Sequence, residues 1–102
     1  IAGGYNIYPK EIELALDAAR GVKESAVIGV PHPDLGEAVL GVIVPQPGSS
    51  PQPEAILAAL AQELARFKLP RALEIVDELP RNTMGKVQKA ALRDRFGNRF
   101  TA

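Results

Sequence analysis

The residues best suited to chemistry lie near the end of the chain, where residues 79–87 read Leu-Pro-Arg-Asn-Thr-Met-Gly-Lys-Val. Pro80 fixes how the backbone enters this segment, and Gly85 gives the backbone freedom immediately before Lys86. A lysine ammonium in such a loop is a compact charge with rotatable donors, suited to a phosphate oxygen or a developing negative charge. The segment is not a P-loop, because Pro80 and Val87 stand where that motif needs glycine and serine or threonine. From local features alone, an ordinary surface lysine before a helix remains the alternative.

A second segment of interest opens the chain, where residues 3–13 read Gly-Gly-Tyr-Asn-Ile-Tyr-Pro-Lys-Glu-Ile-Glu. Gly3 and Gly4 allow the backbone to come close to another chain segment or to a thin ligand. The pattern is not a dinucleotide fingerprint, because no strand precedes it and the Gly-x-Gly-x-x-Gly spacing is absent. A structural turn is the alternative, and Tyr5 and Tyr8 are equally suited to packing.

Other polar residues give weaker signals. His32 is the only histidine and lies between two prolines without a serine, cysteine or second histidine beside it, so a structural role is expected. Asp77 and Glu78 are adjacent, and neighbouring side chains on an extended segment point to opposite sides, which disfavours joint acid–base catalysis. The chain has no cysteine, which excludes a disulfide framework and a cysteine-ligated metal, and no metal site is predicted.

Composition and charge describe a globular chain of 102 residues, expected to form one domain over residues 1–102. Hydrophobic residues make up 46% and charged residues 24%, which argues against disorder. No apolar run reaches the length of a membrane helix and no signal peptide is recognisable, so a cytoplasmic protein without a membrane partner is expected. The net charge of zero hides an acidic excess before position 66 and a basic excess from there on. Because the first residue is Ile1 rather than methionine, a fragment of a longer polypeptide is expected.

The segments at residues 3–13 and 79–87 are positioned by a predicted α+β fold. Apolar periodicities indicate three helices and three strands. The second strand is apolar on both faces and is predicted to be central, with a hairpin only between the first two strands. The economical architecture is a small two-layer domain in which a sheet of about three strands is flanked by helices. The predicted elements are a helix over residues 9–20, strands over 25–30 and 38–44, a loop over 45–53, a helix over 54–66, a strand over 72–76, a loop over 81–86 and a helix over 87–96.

Together, the two segments resemble the C-terminal domain of the adenylate-forming acyl-CoA synthetases, the AMP-binding enzyme family. Residues 3–13 are similar to that family's motif after the hinge, and residues 79–89, which end in Gly-Lys-Val-Gln-Lys, are similar to its terminal catalytic-lysine motif. Two segments between them also fit in order: residues 27–37, with Val-Ile-Gly-Val-Pro-His-Pro-Asp followed by Gly-Glu, and residues 67–70, Phe-Lys-Leu-Pro. The resemblance covers essentially the whole chain.

The resemblance implies the mobile C-terminal domain of an acid–thiol ligase. Such an enzyme joins a carboxylic acid to ATP, supplied with Mg, as an acyl-adenylate and then transfers the acyl group to the thiol of CoA. The domain rotates against its own large N-terminal domain, so that one face serves adenylation and the opposite face serves thioester formation. Several residues take on roles by motif position. They are Lys86 as the adenylation lysine, Pro80 and Gly85 as support for its loop, and Gly3, Gly4 and Tyr5 as lining of the pantetheine tunnel.

Further expectations follow from the resemblance. The hinge residue and the nucleotide-binding loops of the large domain are not in this sequence, so the domain alone is expected to bind no cofactor stably and to be inactive. Acetylation of Lys86 would remove the charge that its role requires. The wording of both motifs looks closest to that of malonyl-CoA synthetases, within fatty acid metabolism, although the acid pocket of this family lies in the large domain.

Three alternatives stay open. The first is an adenylation domain that loads a carrier protein, which uses the same lysine chemistry but does not use free CoA. A domain that uses free CoA needs basic residues for its phosphates, and the candidates are Lys68, Arg71 and Arg81. A non-enzymatic module could bind nucleic acid through the basic end of the chain, but no aromatic platform or groove-reading motif supports it, and no nucleic-acid partner is predicted. A structural cap on the large domain, with Lys86 a bystander, is the third.

Overall fold

Two of the α-helices begin at a proline. The computed structural model describes residues 7–101. Pro9 and Pro53 each stand at the start of a helix, where a missing backbone N–H breaks no helical hydrogen bond. The elements within residues 7–101 are α1 (Pro9–Asp17), β1 (Val22–His32), β2 (Gly36–Pro45), α2 (Pro53–Leu60), a short 3₁₀ helix (Arg66–Lys68), β3 (Ala72–Ile75) and α3 (Lys89–Phe96). None of these helices is long and apolar enough to cross a membrane.

The strands form one sheet in the order β1-β2-β3. β1 and β2 form an antiparallel hairpin in which Val27 lies opposite Gly41, and β3 runs parallel to β2 with Ala72 opposite Leu40. β2 is therefore central, as predicted from its apolar residues on both faces, and the only hairpin within the described residues joins the first two strands, as predicted.

Helices cover both faces of the sheet. α1 and α2 pack on one face and α3 packs on the other. Each face carries a hydrophobic cluster, and alternate residues of β1 and β2 contribute to one cluster or the other. One cluster includes Ile12, Leu16, Val27, Ile43, Ile56 and Leu60, and the other includes Ile28, Val30, Leu40, Val42, Leu79 and Leu92. The α+β class and the three-stranded sheet flanked by helices are confirmed. α3 lies on the opposite face of the sheet from α1 and α2, so the flanking helices cover both faces.

The helix ends differ from the predicted ones. α2 ends at Leu60 rather than at 66, and turns lead to Leu69, whose backbone is extended (φ −69°, ψ 135°), as is favoured before Pro70. α3 begins two residues later than predicted, because Val87 forms an isolated antiparallel bridge with Arg81. Local turn chemistry thus shortens both helices and leaves longer connecting segments than periodicity alone predicts.

His32 has a role in the turn between β1 and β2. Its Nδ1 accepts hydrogen bonds from the backbone N–H groups of Asp34 (3.1 Å) and Leu35 (3.2 Å), and its ring centroid lies 5.5 Å from that of Phe100. The structural role predicted for this histidine agrees with these contacts.

Candidate active-site loop

A small closed loop carries Lys86. We call residues 81–88 the lysine loop. Arg81 and Val87 form the antiparallel bridge at its base, and the backbone N–H of Gln88 donates to the carbonyl of Pro80 (2.8 Å). Closer to the tip, the N–H of Gly85 donates to the carbonyl of Asn82 (3.0 Å). The loop is therefore closed by its own backbone hydrogen bonds and is not an open connection.

The turn before the lysine depends on Gly85. Its φ is 82°, which lies in the left-handed region that L residues rarely adopt. No heavy atom lies within 4 Å of the position that a Cβ would take there, so the requirement for glycine is conformational and not steric. Met84, just before it, is 90% exposed, which puts the tip of the loop in solvent.

The backbone of Lys86 is held while its side chain is not. The N–H of Lys86 donates to Asn82 Oδ1 (2.9 Å), and its carbonyl accepts from the N–H of Asn82 (3.0 Å) and from Gln88 Nε2 (2.9 Å). The preceding carbonyl, of Gly85, accepts from Arg81 Nε (3.0 Å). The ammonium of Lys86 is exposed and forms no ion pair or hydrogen bond with any residue in the 7–101 range. This arrangement offers a cation to an outside group.

Ion pairs attach both ends of the lysine loop to the rest of the fold. At its start, the guanidinium of Arg81 binds the carboxylate of Glu24 through both terminal nitrogens, one of them at 3.2 Å. This hydrogen-bonded guanidinium lowers the pKa of Glu24 below its ordinary value of 4.5. Just after the loop, Lys89 Nζ lies 2.8 Å from Glu13 Oε2, and the same carboxylate oxygen accepts the N–H of Val27 (2.8 Å).

Two of the predicted CoA-phosphate contacts lie on the side of β3. Lys68, on the 3₁₀ helix, pairs with Glu11 of α1, the Nζ to Oε1 distance being 2.9 Å. The backbone N–H of Arg71 donates to the carbonyl of Val39 (2.9 Å), which attaches the start of β3 to β2. Both side chains belong to the same short connection before β3.

The third predicted contact, Arg81, lies elsewhere. Its partner Glu24 is on β1, opposite Val44 of β2. Arg71 instead hydrogen-bonds to Val39 of β2 from the β3 side. The five residue steps along the extended strand from Val39 to Val44 correspond to about 16 Å. Arg81 also already uses its guanidinium on Glu24 and Gly85. The structure therefore does not bring the three basic residues into one cluster.

The predicted tunnel residues Gly3, Gly4 and Tyr5 lie outside the described residues. Two of the first three described residues after them, Ile7 and Pro9, line an open surface pocket. Its other lining residues come from the middle of the hairpin: Val27, Ile28, Gly29, Glu37, Ala38 and Val39. Within residues 7–101, no group of three or more histidine, cysteine, aspartate or glutamate side chains could hold a metal ion.

Sequence reasoning missed the residues that hold the loop in place. Asn82 carried a usable signal, because asparagine two residues before an exposed turn residue commonly accepts that residue's N–H, as it does here from Met84 (2.9 Å). Glu24 carried none, since it is separated from Arg81 by 57 positions and only the fold brings them together.

The class of protein follows from the fold and the loop together. A three-stranded sheet with helices on both faces, presenting an accessible lysine after a glycine turn, is the arrangement expected for the small domain of an adenylate-forming enzyme. Residues 11–86 match the sequence model of the AMP-binding enzyme C-terminal domain. This match covers more than half of the chain, and the chain belongs to that family.

Similar proteins carry ligase names. The chain is 47% identical over 94 residues to 3-[(3aS,4S,7aS)-7a-methyl-1,5-dioxo-octahydro-1H-inden-4-yl]propanoyl:CoA ligase of Rhodococcus jostii, covering 92% of this chain and 18% of that ligase. It is 43% identical over 96 residues to the fatty acid–[acyl-carrier-protein] ligase ScoC of Streptomyces coeruleorubidus, covering 94% of this chain and 18% of ScoC. The crystal structure of ATP-bound MatB from Rhodopseudomonas palustris matches with a TM-score of 0.96 and 50% identity, over 99% of this chain and 20% of MatB. The chain thus spans about a fifth of the length of these proteins.

Proposed function

We propose that this chain is the C-terminal domain of an ATP-dependent acid:CoA ligase and that Lys86 is its adenylation lysine. The observation that carries the proposal is the accessible ammonium of Lys86, without a partner among residues 7–101, on a backbone fixed by hydrogen bonds. Membership of the AMP-binding C-terminal family supports it, as do the ligase names of the similar proteins.

In the first step, a carboxylate oxygen of the acid attacks the α-phosphorus of ATP, and pyrophosphate leaves to give the acyl-adenylate. ATP arrives with Mg as the substrate of the whole enzyme. Negative charge shifts between the carboxylate, the phosphoryl oxygens and the leaving group during this step. A lysine ammonium directed at those oxygens stabilises the transition state more than the ground state, which is the condition for catalysis.

In the second step, the sulfur of CoA attacks the acyl carbonyl, its thiol proton is lost and AMP leaves. We assign Gly3, Gly4 and Tyr5 to the pantetheine tunnel, and Lys68 and Arg71 to the CoA phosphates. Arg71 is attached to β2 from the β3 side, whereas the lysine loop is anchored to β1 through Glu24, and this separation supports different surfaces for the two steps. Because each step needs the large domain, the 102-residue chain alone is expected to catalyse neither.

For the acid, we propose malonate. The likeness to MatB, a malonyl-CoA synthetase, at 50% identity supports this assignment, together with the wording of the two motifs. Transfer to a carrier protein is a second candidate for the acceptor, since ScoC is named for that reaction and is 43% identical to this chain.

The test uses the full-length ligase and its Lys86→Ala variant. Acid-dependent exchange of pyrophosphate into ATP measures adenylation, and thioester formation from preformed acyl-adenylate and CoA measures the second step. We expect exchange to fall by about 10²–10³-fold, the usual effect of removing one such donor, while the second step stays within about twofold. Lys23→Ala, which removes an exposed lysine of β1, is the matched control and should leave both steps unchanged.

Each result decides a separate part of the proposal. Exchange that survives in Lys86→Ala refutes the assignment of the lysine and favours the structural cap. The acid that gives the strongest exchange in the unaltered enzyme identifies the substrate, and malonate fails as the assignment if another acid is preferred. Acyl transfer to a carrier protein but not to CoA would replace the acceptor.

A further inference from the structure

Both polar atoms of the peptide group between Gly85 and Lys86 are hydrogen-bonded by side chains of the same loop. Its carbonyl oxygen accepts from Arg81 Nε (3.0 Å), and its N–H donates to Asn82 Oδ1 (2.9 Å). This peptide group sets the direction in which the Cα–Cβ bond of Lys86 leaves the backbone. Arg81 and Asn82 therefore restrict the orientation of the lysine without touching its ammonium.

Arg81 also connects that peptide group to the sheet. The remaining nitrogens of its guanidinium bind the Glu24 carboxylate on β1 in the two-point geometry that makes arginine pairs directional. One rigid planar group thus joins the turn before the lysine to a strand whose residues Ala26 and Val27 are buried. A lysine in place of Arg81 could reach one of these partners but not hold both in a plane.

We propose that Arg81 is a positioning residue for the adenylation step, acting through Lys86 with Glu24 as its anchor. The inference rests on the proposed function of Lys86. Fixing the backbone matters because lysine has a long flexible stem, and an error of about 1 Å in the placement of a catalytic group can cost about 10²-fold in rate. Pairing with Glu24 also neutralises the charge of Arg81, so that Lys86 is the loop cation left for the substrate.

The first experiment measures both half-reactions in the full-length ligase with Arg81→Ala. We expect exchange of pyrophosphate into ATP to fall about tenfold with the thioester step within about twofold. Arg99→Ala is the matched control, because Arg99 pairs with Glu74 at nearly the same exposure (41% and 28%, against 40% and 25% for Arg81 and Glu24) but lies beyond α3. It should change neither step.

Two further variants separate positioning from general damage. Arg81→Lys should recover only a small part of the lost exchange, because it cannot hold Glu24 and the Gly85 carbonyl together. In a Lys86→Ala background, Arg81→Ala should cause less than about a twofold additional loss, since a residue that acts through the lysine has nothing left to position. Exposed ion pairs contribute little to folding, so the urea midpoints of Arg81→Ala and Arg99→Ala should be similar.

Three outcomes would overturn the inference. Unchanged exchange in Arg81→Ala shows that the contacts of Arg81 with Glu24 and Gly85 are dispensable. A raised KM for CoA with normal exchange makes Arg81 a phosphate contact instead. An equal loss in the presence and absence of Lys86 shows an independent role. If Lys86→Ala alone leaves exchange intact, the proposed function itself fails, and that result is distinct from a failure of Arg81 as a positioning residue.

Discussion

Replacing Gly85 with alanine adds one methyl group at a backbone position with a φ of 82°. The methyl group meets no heavy atom within 4 Å, so the change is purely conformational. Gly48 provides a matched control, because its φ is 76° and its Cβ position is equally open, but it lies in the loop between β2 and α2. The two substitutions thus apply the same strain at a site with the lysine and at a site without it.

The expected loss in free energy of unfolding follows from two opposing effects. An L residue in the left-handed region costs about 1–2 kcal/mol. Alanine also restricts the unfolded chain more than glycine does, which returns about 0.4–1 kcal/mol. The net loss in free energy of unfolding should be about 1 kcal/mol for either variant, corresponding to roughly 4–8 °C in Tm for a chain of this size.

The effects on activity should differ. Alanine at position 85 favours a return of φ to negative values, which would turn the peptide before Lys86 and break its hydrogen bonds to Asn82 and Arg81. Exchange of pyrophosphate into ATP should then fall about ten- to a hundredfold in Gly85→Ala and stay unchanged in Gly48→Ala. Urea unfolding of the 102-residue chain checks the stability, and the full-length ligase is used for exchange.

A Gly85→Ala variant that loses the same stability as Gly48→Ala but keeps normal exchange would contradict a role of this turn in placing the lysine. That result would mean that the left-handed turn is a local backbone feature without influence on the lysine. A much larger loss of stability in Gly85→Ala than in Gly48→Ala would also contradict it, because the structure shows no steric neighbour to account for the difference.

Two further predictions concern the anchoring of the loop and of α3. Leu92 is 1% exposed and is the one fully buried side chain of α3, so Leu92→Ala should lower the free energy of unfolding, measured by urea titration, by about 2–5 kcal/mol. Leu14 on α1 is 59% exposed, and Leu14→Ala should change the same free energy by less than about 0.5 kcal/mol. Equal effects would contradict the packing of α3 on the sheet. The pKa of Glu24, read from its carboxyl carbon by NMR titration, should lie below 4.5 and rise in Arg81→Ala. Because the pKa of Glu24 is lower in the folded than in the unfolded chain, the pair should stabilise the fold fully above about pH 4.5, and this stabilisation should be lost as the pH falls through the folded pKa. A difference in stability from Glu24→Gln that does not depend on pH would contradict this prediction.

The sequence predicted those features that depend on neighbours along the chain. The apolar residues on both faces of β2 indicated a central strand, and Gly85 before Lys86 indicated a turn that presents a lysine. The face of the sheet on which α3 packs was not predictable in this way, because it is decided by the packing of Leu92, the one buried residue of α3. The anchor of the loop was equally hidden, since a half-buried glutamate on β1 has no local property that identifies Arg81 as its partner.

The contacts along β1 have a consequence for solubility. β1 is an edge strand, and an edge with unsatisfied backbone donors invites pairing with a strand of another molecule. Here the carboxylate of Glu13 accepts the N–H of Val27 and forms an ion pair with Lys89. Glu24 and Arg81 form a second ion pair near the start of the strand. A strand that approaches this edge would have to displace paired charges before it could form backbone hydrogen bonds with β1. The groups that hold the lysine loop in place therefore also protect the chain from edge-to-edge aggregation.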